Sequence, residues 1–180
     1  MSTVSRDRTA DTPPRTGAVQ SDIGLLLLRL VLATSFVGHG AQKVFGAFDG
    51  SGIHGFAQGT LAGYGFRFPE VLAWITGLTE LLGGLAVAVG VFTPLAATGL
   101  MAVMINTVLL KFHNGFFFQL PGGFEVDFLL AGLAAGLVLA GPGRLALDSV
   151  GVLHRVLARR WAFLVLGVVA GLAFYFLLRT

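Results

Sequence analysis

Five apolar runs, each close to the ~20 residues a helix needs to cross a bilayer, constrain this chain more than any other feature. They lie at about Ile23–Phe45, Val71–Phe92, Leu95–Phe112, Phe124–Ala140 and Trp161–Leu178. Lipid offers no water to backbone N–H and C=O groups, so only helices and closed barrels span it. No ten-residue alternation of apolar and polar side chains recurs, which argues against a barrel. The sequence therefore predicts an all-α membrane protein. Composition agrees: 12% of the 180 residues are charged, against ~25% in soluble domains. Too little polar side chain exists to cover a water-facing surface.

The remaining global counts narrow the function. The net charge of +3 reflects a small surplus of arginine, and no basic run interleaved with aromatics points to nucleic acid. There is no cysteine. The chain thus has no disulfide, thiolate metal site or thiol redox chemistry of its own, and sulfur chemistry would need a partner protein or a bound cofactor.

Residues 1–21 are polar and carry Pro13-Pro14, the composition of a disordered tail. Residues 22–148 hold the first four apolar runs. Residues 149–160 read as an amphipathic interfacial segment with an apolar stripe of Val152, Leu153, Val156 and Leu157, with Asp148 as the candidate cap of that helix. Residues 161–180 form an additional membrane helix. Arg6, Arg8 and Arg15 precede the first run, and Arg144, Arg155, Arg159 and Arg160 follow the fourth. Basic residues favour the cytoplasmic side, so the N-terminus is expected inside and the C-terminus outside, with Arg179 as a contrary charge at the C-terminus. The glycine- and phenylalanine-rich link at about 46–70 then faces outward as an interfacial anchor or a cover over a pocket.

Several polar side chains fall where lipid tolerates them poorly. Arg29, His39 and Lys43 share a stripe of roughly 80° on the first helix at 100° per residue. Glu80 lies near the middle of the second run, Asn106 on the third, and Lys111 and His113 at its outer end; Glu125 and Asp127 open the fourth. A mid-bilayer charge costs about 2.5–3.5 kcal/mol on insertion scales, while each Leu, Ile, Phe or Val returns about 0.3–0.6. Insertion alone therefore does not demand a function for Glu80. Convergence of six or more such groups on the outer side, His39, Lys43, Lys111, His113, Glu125 and Asp127 among them, is harder to attribute to chance. A ligand pocket, a structural ion-pair network joining Arg29 or Lys43 to Glu80, and a neutral, hydrogen-bonded Glu80 are all compatible with the pattern. Metal is disfavoured, because Lys43 rather than a second ligand follows His39 at i+4. Gly132-x-x-x-Gly136 and Gly167-x-x-x-Gly171 allow close helix contact and self-association.

The residues also carry a resemblance. Leu28-Arg29-Leu30 followed by Gly38-His39-Gly40-Ala41-Gln42-Lys43 resembles the first helix of the DoxX family. Gly55-Phe56-Ala57 and Gly65-Phe66-Arg67-Phe68-Pro69 are similar to its outer link. Thr79-Glu80-Leu81-Leu82-Gly83-Gly84 with Gly90-Val91-Phe92-Thr93 resembles its second helix and inner turn. Gly123-Phe124-Glu125 and Gly141-Pro142-Gly143-Arg144, ending at Asp148, complete the pattern. Pro94 and Leu145-Ala146 depart from it, and the fifth run lies outside it.

The resemblance implies a four-helix transmembrane bundle, here with a fifth C-terminal transmembrane helix, in a bacterial plasma membrane. It further implies a relation to the membrane subunit of thiosulfate:quinone oxidoreductase and to a membrane oxidoreductase complex involving superoxide dismutase and a sulfurtransferase. Arg29, His39, Lys43, Glu80 and Glu125 occupy the family's polar motif positions. With Asn106 and His113 they form the expected binding set for a menaquinone or ubiquinone, without metal. A quinone-linked subunit working with redox partner proteins is the first expectation. A non-catalytic scaffold or assembly subunit is the second, and a small proton-coupled carrier the third.

Overall fold

The computed structural model describes residues 15–119, 122–149 and 159–179. Within them the chain is helical, with one isolated bridge between Phe66 and Arg179. Helix α1 spans Arg15–Phe45, α3 Pro69–Val89, α4 Thr93–Lys111 and α5 Glu125–Ala140. The short α2, Gly52–Phe56, continues into a π-turn at Ala57–Leu61; α6 spans Arg160–Leu178. Because α1 starts at Arg15, the end of the expected tail is helical. Most of the expected amphipathic segment, 150–158, lies outside the described residues, as do residues 1–14.

Among the described residues, four segments are long and apolar enough to cross a membrane: Val19–Phe45, Pro69–Val89, Thr93–Asn114 and Arg160–Leu178. The chain is a multi-pass membrane protein in a lipid bilayer. The fourth expected span, α5, has only 16 residues, or ~24 Å, short of the ~30 Å hydrocarbon thickness. It still runs the height of the bundle. Its start lies beside the end of α4, where Lys111 meets Asp127, and its end lies beside Arg160 at the start of α6. Gly141, at φ +85, stops it there.

The helices alternate between two rims. One rim holds the start of α1, the α3–α4 turn, the end of α5 and the start of α6. The other holds the end of α1, the 46–68 link, the end of α4 and the C-terminal end of α6. Arg67 N donates to Leu178 O (3.1 Å), and Arg179 Nε donates to Tyr64 O (2.9 Å), which fastens α6 to the link. The fifth helix therefore ends on the same rim as that link, as an odd number of crossings requires.

Small residues set the helix spacing. Gly84 faces Phe36 and Val37, so α3 packs tightly on α1. Gly167 and Gly171 lie against the Thr98 and Ala102 carbonyls of α4. Gly132 and Gly136 have nothing within 4 Å of a built Cβ. Of the two small-residue motifs, only the one on α6 is used inside the chain. Leu32, Phe36, Val87, Leu100, Met101 and Leu137 form the core between α1, α3, α4 and α5.

Candidate functional site

The two rims treat their buried polar groups differently. Arg29 is 1% exposed and sits among backbone carbonyls. Its Nε donates to Val87 O (2.8 Å) and Nη2 to Ala88 O (2.7 Å), at the end of α3. Its Nη1 donates to Leu145 O (2.9 Å) and Pro142 O (3.2 Å), beyond α5. The Val87 and Ala88 carbonyls have no partner within α3, since a helix leaves its last C=O groups unmatched, and a guanidinium supplies several donors in a fixed fork that also reaches the turn beyond α5. Gly90, at φ +77, lets the chain turn there: a built Cβ would meet the guanidinium and Ala146.

Asp148 completes the same rim. The segment it was expected to cap lies outside the described residues. Its Oδ1 accepts from Phe92 N (2.7 Å) and its Oδ2 from Thr93 N (2.6 Å), capping α4. Phe92 has φ 48, a left-handed conformation that costs a non-glycine residue roughly 1–2 kcal/mol; the carboxylate helps to hold it.

At the opposite rim α1, α3, α4, α5, α6 and the 46–68 link enclose a cavity of about 440 Å³, within the ~300–1,000 Å³ range of small-molecule sites. Its polar end is built by pairs across helices. Glu80, 2% exposed, accepts from Lys43 Nζ, so α3 is tied to α1. Lys43 also lies 5.2 Å from the ring centroid of Phe56. Lys111 Nζ donates to Asp127 Oδ2 (2.8 Å), which ties α4 to α5. His39 borders the cavity, its Nδ1 3.0 Å from Gln42 Oε1. Asn106 also lines it and is 7% exposed; its side-chain nitrogen is buried and has no hydrogen-bond partner. A buried amide donor left unmatched costs about 1–3 kcal/mol.

Of the expected set, the structure brings His39, Lys43, Glu80 and Asn106 to one cavity. It does not bring Arg29, which is engaged at the other rim. His113 stands in the short 3-10 turn Phe112–Asn114 and is exposed. Glu125 is the first residue of α5; its Oε2 accepts from Phe118 N (3.0 Å), so it anchors the aromatic loop and does not line the cavity. Asp127 takes the inward place beside Lys111. The stack of Phe112, Phe116, Phe124 and Phe128 lies outside the cavity walls, which take their aromatic rings from Phe56, Tyr64 and Phe174. Among the described residues no three His, Cys, Asp or Glu side chains are grouped to hold a metal.

An all-helical membrane bundle with one mixed polar and apolar cavity fits the DoxX pattern read from the sequence, and comparison with known proteins agrees. The DoxX family model matches residues 24–114; the chain belongs to the DoxX family. It is also 30% identical over 129 residues to a protein of Bacillus subtilis (strain 168) named "Putative oxidoreductase CatD". The alignment covers 71% of this chain and 86% of that relative. No solved structure gives a significant match.

Proposed function

We propose that this chain is a quinone-linked membrane subunit of an oxidoreductase or redox-stress complex, binding the quinone head in the cavity beneath the 46–68 link. The observation that carries the reading is the unmatched Asn106 amide in a cavity whose charges are already paired. With Lys43 on Glu80 and Lys111 on Asp127, an anion such as thiosulfate meets no uncommitted cation there. A neutral head with carbonyl acceptors suits the spare donor. When bound, a menaquinone or ubiquinone supplies two-electron, two-proton chemistry that this cysteine-free chain lacks. The chain's own residues hold and orient the head: Asn106, once its amide turns toward the cavity, donates to a carbonyl, His39 and the Lys43–Glu80 pair serve proton exchange at the same end, and Phe56 and Tyr64 exclude water.

In this reading the N-terminus is cytoplasmic and the C-terminus extracytoplasmic in a bacterial plasma membrane, as the arginine distribution favours. Redox partner proteins supply the electrons. The relative's name supports the oxidoreductase class. The test is gentle extraction of the full chain, followed by mass spectrometry of bound lipids. Expected is a quinone retained by the wild type and depleted in Asn106→Ala and His39→Ala. Absence of quinone from the wild type, with no binding on titration, excludes the reading.

A second reading, a non-catalytic scaffold for a partner protein, draws on the same ion pairs as interhelical ties. Glu80→Gln separates the two. Normal accumulation with lost redox-stress resistance favours the quinone site; loss of accumulation favours the scaffold.

A further inference from the structure

A quinone head carries a long apolar chain, and that chain must leave the cavity somewhere. Two sides are closed to it. The link from Phe56 to Tyr64 lies over the cavity and is fastened to α6 at Tyr64 and Arg67. Helices α1 and α3 pack tightly through Gly40, which faces the Leu81 backbone, and Gly84.

The side between α3 and α6 differs. Both helices pack along α4, and the cavity extends between them. Gly99 and Ala102 of α4 form the floor, Ile75 and Thr79 one wall, Ala170 and Phe174 the other. The floor residues are partly exposed, and Ile75 and Ala170 are exposed at the mouth. Ala170 is the eleventh residue of α6, ~15 Å along it, which places the mouth in the middle of the hydrocarbon. Gly99 and Ala102 have little or no side chain, and this keeps the floor low.

We infer that the groove between α3 and α6 is the lateral port through which the carrier's apolar chain passes from the bilayer to the cavity, with α6 as a working wall of the site. The inference rests on the quinone reading and goes beyond it. The α3 and α4 sides of the port lie within the family-matched residues 24–114, and the α6 side lies outside them. The port contributes passage and not affinity, because lipid tails are as apolar as its walls. Filling it blocks a tailed carrier and spares a tailless one.

The experiment titrates purified full chain in lipid nanodiscs with two probes, a decyl-substituted benzoquinone and its methyl counterpart. Ala170→Trp and Ile75→Trp narrow the port from opposite walls at exposed positions. Expected is at least a tenfold weaker decyl probe in both variants, with the methyl probe within twofold of wild type; that methyl result also reports an intact fold. Decyl binding unchanged in both variants overturns the port and leaves the head site standing. No binding of either probe by wild type overturns both. Should both variants lose both probes, a diazirine on the decyl chain decides in the wild type. Crosslinks to Ile75, Ala102, Ala170 or Phe174 support the port. Crosslinks to the Phe116–Phe118 loop, or to lipid alone, overturn it.

Discussion

Arg29 and Asn106 are both buried polar side chains in a membrane bundle, yet their surroundings differ in one decisive respect. The Arg29 guanidinium is engaged: four bonds run to carbonyls at the end of α3 and in the turn beyond α5, and Thr93 Oγ1, buried without a partner on that rim, lines no cavity. Asp148 does the converse service there, accepting two N–H groups at the start of α4. At the other rim the charges are paired, but Asn106 lines the cavity and keeps a buried side-chain nitrogen that no neighbour takes. Buried charge is therefore not what the quinone proposal rests on. It rests on unused hydrogen-bonding capacity in a residue that lines a cavity.

The contrast can be broken by substitutions of graded severity. Arg29→Ala has the largest expected effect. It strips donors from four carbonyls at once, and with bonds to charged groups worth about 1.5–3 kcal/mol each, a loss of at least about 4 kcal/mol follows. Thermal unfolding in detergent should show little folded protein, with only partial recovery in Arg29→Lys because an ammonium cannot reproduce the fork. A stable Arg29→Ala protein would falsify the structural assignment of that rim.

Gly167→Leu comes next. Its side chain meets the Met101 methyl and the Thr98 carbonyl, so α6 must move, at about 1–3 kcal/mol. The same unfolding assay, joined to protease access at the α6 end, reads that displacement; unchanged access contradicts it. Asp148→Ala removes the α4 cap and costs about 1–2 kcal/mol, seen as a modest drop in unfolding temperature with ligand affinity retained. A loss of affinity larger than the loss of stability would place Asp148 in the site after all. The smallest effects belong to His113→Ala and Glu125→Gln, which leave quinone affinity within about twofold, because neither side chain lines the cavity. A tenfold loss in either would redraw its walls.

Much of the fold was legible because hydropathy in lipid is a one-dimensional signal: apolar length predicts spans. The stripe holding His39 and Lys43 followed from helical period alone, and Glu80 and Asn106 from depth. Choosing between Glu125 and Asp127 did not. Two positions apart, they point ~200° from each other, and only the loop N–H of Phe118 decides which turns outward. Arg29 misled for a related reason: its partners are main-chain carbonyls 58 to 116 residues away, which leave no side-chain pattern. Asp148 likewise caps a helix 55 residues earlier. The groove between α3 and α6 depends on how the fifth helix docks, which periodicity does not encode.

The claim beneath all of this is that Asn106 has a vacant partner position for a neutral acceptor. The direct measurement is the Kd of a methyl-substituted benzoquinone for the wild type and for Asn106→Leu, in the same nanodiscs. Loss of one such bond, about 1.4 kcal/mol, predicts an affinity roughly tenfold weaker in Asn106→Leu. Equal affinity in the two proteins would contradict the account.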